Sequence, residues 1–191
     1  MRYKPGYKEA KRKELLKLSG QLAKQHGFSA TGVDAFMKEA GVTSGAFYSH
    51  FSSKNELFKA LVEAELEQSL AMWRANPNDS ADAWIDFELE RYLGLNHLKR
   101  AGKGCALPAL ASEIARADDE IKQVYQDRLL EGHTLFRKYL GSDEKAWAVM
   151  SQLVGAITLA RAMADEAQQI AVLEACKSTV KDYLRLAKMA G

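Results

Sequence analysis

Proline is nearly absent from this 191-residue sequence: Pro5, Pro77 and Pro108 are all it has. Proline breaks helix interiors, so its scarcity leaves long stretches free to be helical, and the three fall at the chain start and at two expected element boundaries. Cysteine is equally scarce. Cys105 and Cys176 cannot build a disulfide framework and show no metal-ligand spacing. No uninterrupted apolar run approaches the roughly 18–20 residues of a membrane span. The basic N-terminus is not followed by an apolar signal segment, so the expected location is cytoplasmic, with no membrane partner. No internal repeat, low-complexity tract or convincing strand pattern occurs. His97 and His133 read as isolated surface or capping histidines. Asp118-Asp119-Glu120 reads as a helix start, where acids favour the dipole, not as a metal site. No catalytic constellation stands out, and the expectation is a non-enzyme with no cofactor and no metal.

Apolar residues are plentiful, 47% of the chain against 27% charged, enough to build a buried core. The net charge of +2 hides an asymmetry. Residues 1–55 carry ten Lys or Arg against four Asp or Glu, a net +6, and residues 56–191 carry seventeen against twenty-one, a net −4. A basic first quarter on an acidic remainder fits a nucleic-acid-binding end with a separate regulatory body.

Helical periodicity runs through the whole chain. A short basic arm, with Arg2 and Lys4, precedes a helix expected over residues 8–26, where Leu15, Leu18, Leu22 and Ala23 share a face; Lys8, Lys11, Arg12 and Lys13 stand ready for phosphates. Gly27 is its stop. Thr31 is placed to cap a second helix over 32–40, with Val33, Phe36 and Met37 on one side. Gly41 then suits a left-handed C-cap, Val42 fills the turn, and Thr43 starts a third helix. Two short helices with glycine at the turn make a helix-turn-helix, with the first helix burying their apolar faces. Ser53 to Glu56 forms a capping box in which Glu56 is expected to reach back to Ser53. It opens a helix to about residue 75 whose buried stripe is Leu57, Leu61, Val62, Leu66, Leu70 and Trp73.

Further helices are expected from a Ser80 or Asp79 cap to about 98, over 107–116, from Asp118 or Asp119 to 140, over 142–164, and from a polar break at 165–169 to about 189. The fold expected is all-α, with about nine helices: a helix-turn-helix domain over 1–53 and a helical effector-binding and dimerisation domain over 54–191.

The run TGVDAFMKEAGVTSGAFYSHFSSKNEL, starting at Thr31, closely resembles the DNA-binding region of the TetR/AcrR-type bacterial transcriptional regulators. The resemblance covers roughly residues 9–69 and reaches the remainder only through length, helix count and the Gly-Cys-Ala-Leu-Pro segment at 104–108. It implies a homodimer, usually a repressor, that places one recognition helix per subunit in successive major grooves of a palindromic double-stranded DNA operator. A small molecule bound in the C-terminal helices would release it. Tyr48 and His50 match the family's phosphate-contacting positions.

Lys54, beside the free amides of a helix start, and the Thr31 hydroxyl would add phosphate contacts. Base reading falls to Thr43, Ser44, Gly45 and Ala46. A lysine is common in the family where Ser44 stands, so direct readout is modest and backbone contacts carry more of the affinity.

In the body, Trp84, Phe87, Tyr92, Cys105 and Tyr125 are candidates to line an effector cavity. Cys105 keeps two readings open: a small buried thiol, or a thiol made reactive by Lys99, Arg100 and Lys103 that senses electrophiles. Met150, Val154, Ile157, Leu173, Val180 and Leu184, on the last two helices, are candidates for a dimer face. Two rival classes are a helical small-molecule binder or enzyme with no operator, and an architectural DNA binder with no effector. The basic first quarter argues against the first, and the large apolar body against the second.

Overall fold

The computed structural model describes residues 6–189, with the backbone alone at Ser44, Ala46 and Lys188. The basic arm with Arg2 and Lys4 lies outside the described residues. Among those described the chain is helical with no strand, as expected: α1 Tyr7–His26, α2 Val33–Glu39, α3 Ser44–Phe47, α4 Lys54–Arg74, α5 Ala81–Tyr92, α6 Leu95–Lys99, α7 Leu107–Ile114, α8 Asp119–Leu140, α9 Asp143–Arg161 and α10 Glu166–Met189. A single 3₁₀ turn, Ala101–Lys103, precedes α7.

The helices group into two compact units. One holds the chain up to Gln68 together with Ala101–Arg128; the other holds Ser69–Arg100 and the chain from Leu129 onward. Of the three points where the chain passes from one unit to the other, two fall inside helices, α4 and α8, and the third falls between α6 and the 3₁₀ turn.

In the first unit, Leu15 of α1, Phe36 and Met37 of α2, and Leu57 and Leu61 of α4 are completely buried. Phe28, in the loop after α1, stacks on Phe36 at 5.3 Å and on Phe58 at 4.2 Å. A buried ion pair crosses this core. Lys24 Nζ lies 2.5 Å from Glu65 Oε2 and donates to the Gly104 carbonyl at 3.0 Å. Gly20 makes room for it: a Cβ there would stand 2.0 Å from Glu65 Oε1.

The second unit is built on aromatic rings. Phe136 meets Trp73 and Trp84 edge-on at 5.2 and 4.9 Å, and Trp84 stacks on Tyr139 at 4.5 Å. Gly132 lets Trp73 lie against α8, since a Cβ there would be 2.6 Å from the indole. Glu88, wholly buried, is paired with Arg91 and accepts from Asn76 Nδ2 at 2.8 Å. Helices α9 and α10 pack along Leu153, Ile157, Ala160, Leu173 and Val180, all buried. The lone-histidine reading changes for His133, which is buried, stacked on Trp147 at 4.2 Å.

Several boundaries differ from expectation for local reasons. The helix after Ser80 stops at Tyr92 and restarts at Leu95, because Gly94 turns to an extended conformation and caps α6. His97 Nδ1 then lies 2.7 Å from the Tyr92 carbonyl, where the broken helix leaves an oxygen open. The polar stretch after Asp165 is the first turn of α10, not a break: Asp165 Oδ1 accepts from Gln168 N at 2.9 Å as a cap. The cap of α2 is Gly32, not Thr31, and no side chain closes it.

Candidate nucleic-acid interface

Helix α3 is only four residues long, too short to persist without tertiary anchors. Two anchors hold it. Upstream, α2 ends in a Schellman closure: Gly41 sits at φ 65°, Val42 N donates to Met37 O at 2.9 Å, and Gly41 N donates to Lys38 O at 3.0 Å. Downstream, Phe47 and Phe51 are almost fully buried, their rings 5.7 Å apart. His50 N and Phe51 N both donate to the Phe47 carbonyl, which closes the turn after the helix.

Between these anchors Tyr48 stands out from the surface with 70% of its area exposed. Its ring meets Phe47 edge-on at 5.1 Å, so the phenol is aimed from a fixed base. Thr43 and Gly45 are exposed. Ser44 and Ala46 flank Gly45 on α3, with the backbone alone described.

His50 is half-buried beside the first turns of α1. Arg12 donates to the His50 carbonyl, and its guanidinium lies 4.2 Å from the centre of the Phe51 ring. Burial, then the charges of Lys8, Arg12 and Lys11, hold the His50 pKa below the usual 6.5. This corner is positive without counting the histidine, which suits an anion.

Two expected phosphate contacts are placed differently. The Thr31 hydroxyl donates to Gly27 O at 2.7 Å and Thr31 N donates to Phe28 O at 3.2 Å, so both its donors are spent inside the loop. Lys54 is turned to the same loop, donating to Ser29 O at 3.2 Å with its ammonium 5.0 Å from the Phe28 ring centre. At the start of α4 the expected capping box is half right. Glu56 N donates to Ser53 Oγ at 3.0 Å, but the Glu56 carboxylate reaches Ser52, accepting from its N at 2.6 Å and its Oγ at 2.7 Å. Those hydrogen bonds hold the Glu56 pKa below its usual value. An anionic side chain therefore already occupies the α4 start.

Sequence reasoning missed the clamp behind this surface. Glu113 of α7 accepts from Phe28 N at 2.8 Å, Ser29 N at 2.6 Å and Ser29 Oγ at 2.6 Å. Burial pushes this carboxyl up, but the three donors outweigh it and the net shift is downward. Asn55 is likewise bonded to Asp118, and Lys59 to Glu120 at 2.8 Å. No local pattern reveals partners so far apart in sequence.

The candidate effector residues do not form one set. In the second unit Trp84 and Tyr92 are buried while Phe87 is partly exposed, with Arg91 6.0 Å from its ring centre. In the first unit Cys105 is 1% exposed and Tyr125 half-buried, with burial raising the tyrosine pKa. An enclosed Cys105 thiol matches the buried reading of that residue and offers a reagent no direct approach.

The candidate dimer face also needs correction. Met150, Ile157, Leu173 and Val180 are buried within the chain, and Val154 and Leu184 are half-buried. Both apolar stripes on these helices are helically spaced, and the sequence offered no means of separating inner from outer. The outer stripe of α9 is Trp147, Ser151, Thr158 and Leu159, with Ala162 and Met163 exposed just past its end.

Residues 15–61 match the model of the bacterial regulatory proteins of the tetR family. The uncharacterized HTH-type transcriptional regulator YerO of Bacillus subtilis is 28% identical over 131 residues, 68% of this chain and 45% of that protein. The HTH-type transcriptional repressor KstR2 of Mycobacterium tuberculosis is 33% identical over 90 residues, 47% of this chain and 42% of that protein. The chain thus spans less than half the length of these curated relatives.

Similarity of fold extends further. The reduced form of Escherichia coli NemR superposes with a TM-score of 0.76 at 20% identity, over 91% of this chain and 96% of that one. FadR of Bacillus subtilis in complex with stearoyl-CoA superposes at 0.63 with 15% identity, over 90% and 96%. The helix-turn-helix segment is thus matched in sequence to the tetR family of bacterial regulatory proteins, and the helical fold is shared along most of the chain with solved structures such as that of NemR.

Proposed function

We propose that the chain is a DNA-binding transcriptional regulator, a repressor that leaves a palindromic operator when a small molecule binds its helical body. The observation that carries this reading is Tyr48: a phenol held 70% exposed between two buried phenylalanines, next to a positive corner. A large exposed ring on a rigid base is what a contact surface needs and what a solvated surface avoids. In this reading α3 enters the major groove, Tyr48 and His50 hold backbone phosphates, and Thr43, Ser44, Gly45 and Ala46 face base edges. Thr31 and Lys54 support the loop behind the surface and contribute less directly.

The regulator acts as a homodimer through the outer stripe of α9. The stearoyl-CoA held by FadR and the repressor activity in the name of KstR2 support an effector-released repressor. The enclosure of Cys105 favours this over thiol sensing.

Selection from a random duplex pool, followed by binding titrations, tests the DNA reading. Affinity should fall steeply with salt, as phosphate contacts require. Tyr48→Phe should weaken all sequences alike, by about fivefold to tenfold for one lost hydrogen bond, and Ser44→Ala should relax specificity. Binding that ignores salt, or the two variants with exchanged effects, would remove the assignment.

A further inference from the structure

Helix α2 has seven residues and α3 four, and neither persists on its own. The start of α2 also lacks the usual device that fixes a helix entry. Gly32 occupies the cap position, and no side chain accepts from the first-turn amides. The direction in which α2 leaves α1, and α3 after it, is therefore set by the loop over 27–32. That loop is gripped at one residue from two sides. Glu113 of α7 accepts from both Ser29 N and Ser29 Oγ at 2.6 Å, while Lys54, the first residue of α4, donates to Ser29 O at 3.2 Å.

The acid is fitted to the loop. Its Oε1 takes the Phe28 amide at 2.8 Å and its Oε2 the two donors of Ser29. Gly27 stands at φ 84°, and a Cβ there would be 3.1 Å from Glu113 Oε1. Glycine thus serves both the turn and the close approach of the carboxylate. The Phe28 side chain stacks on Phe36 of α2 and Phe58 of α4, so a shift of the Phe28 backbone reaches α2 through the ring as well as through the chain. The segment leading into α7 is itself docked on α1. Lys24 donates to Gly104 O at 3.0 Å, and a Cβ at Gly102 would stand 3.3 Å from Gln21 O. Glu113 reaches the loop from a fixed base.

We propose that Glu113 is a positioning residue for DNA binding: it caps the α1–α2 loop from outside the helix-turn-helix and sets the angle at which α3 is presented, without touching DNA. This rests on the DNA-binding reading above and adds to it a determinant that lies outside the matched residues 15–61. Charge supplies a sign that separates positioning from an electrostatic effect. Removing an acid from a protein that binds a polyanion strengthens binding. Removing this acid weakens it, because α3 loses its angle. Glu120 is the matched control. It belongs to the same unit, and its partner is Lys59 of α4 at 2.8 Å.

The experiment titrates a duplex recovered from a random pool with the full chain, as wild type, Glu113→Gln, Ser29→Ala, their double variant and Glu120→Gln, over a range of salt. Fluorotyrosine at Tyr48 reports the DNA face of the free protein. Glu113→Gln should bind about fivefold to tenfold more weakly, with an unchanged salt slope because no phosphate contact is lost. The Tyr48 fluorine resonance should shift or broaden in the same variant. Ser29→Ala, which alters no charge and removes one donor, should bind about twofold to threefold more weakly. The double variant should be no weaker than Glu113→Gln alone. Glu120→Gln should bind as wild type does or slightly tighter. Glu113→Gln binding as tightly as wild type, or a loss of equal size in Glu120→Gln, overturns the proposal. Where Glu113→Gln does not fold, Ser29→Ala decides, and unchanged affinity in it is the overturning result. Absence of duplex binding by wild type is a different outcome, which brings down the DNA reading and this inference together.

Discussion

Two residues of the first unit carry their energetics openly. Ser19 is fully buried on α1 and its Oγ meets no partner. A hydroxyl left dry costs stability, so Ser19→Ala should raise the unfolding free energy by about 1 kcal/mol, read as a higher denaturant midpoint at unchanged slope. A lower midpoint would mean that the hydroxyl is satisfied in solution. Glu65 is the opposite case. Burial raises its pKa while the Lys24 ammonium pulls it back. The ion pair stabilises little against a hydrophobic replacement, but breaking one side strands a buried charge. Glu65→Ala should therefore cost about 3–5 kcal/mol. A Lys24→Met, Glu65→Leu double variant should recover most of it in the same denaturation measurement. Neither residue announced itself in the sequence. Ser19 reads as one polar position on a lysine-rich helix, and Lys24 and Glu65 find each other only when α1 packs on α4.

Single elements show which sequence signals are legible. The α4 stripe is, because an apolar period sustained over five turns has no rival reading: Leu57, Leu61, Val62, Leu66, Leu70 and Trp73 are all buried. So is the turn at Gly41, where the Schellman closure needs the left-handed conformation that glycine permits. The break at Gly94 was masked by apolar residues that continue the period on both sides of it. The clamp on the α1–α2 loop lay beyond reach because α7 brings Glu113 from 85 residues away. That clamp has a testable pH signature. A carboxyl whose folded pKa is lowered adds stability above its unfolded pKa and loses it as pH falls through the folded value. Exchange protection of the Phe28 and Ser29 amides should be full at neutral pH and fade in acid. Glu113→Gln, which offers one acceptor oxygen for two, should already exchange faster at neutral pH and depend less on pH. Protection unchanged in the variant would show that the loop holds itself.

At the scale of the whole molecule, the charge asymmetry and all-α class were legible because they are properties of composition and period. The face proposed for the dimer was not, since inner and outer apolar stripes on α9 and α10 have the same spacing. The outer position of Leu159, 61% exposed, makes it the sharper probe. Leu159→Glu should turn a dimer in light scattering into a monomer without lowering thermal stability of the protomer, and should weaken operator binding by at least about tenfold through loss of the second half-site. A variant that stays dimeric places the contact elsewhere.

The first unit also fixes an order of events during synthesis. Its two stretches, up to Gln68 and from Ala101 to Arg128, are not contiguous. A ribosome that has released the whole helix-turn-helix has not yet made Glu113, Asp118, Glu120 or Arg128, the partners of Ser29, Asn55, Lys59 and Glu63. At about 5–20 residues per second, the interval is on the order of several seconds. A nascent or truncated chain in that interval carries every residue of the proposed DNA face on a unit that is not yet closed. Closure of the unit that carries α3 is thereby tied to translation well past the helix-turn-helix itself.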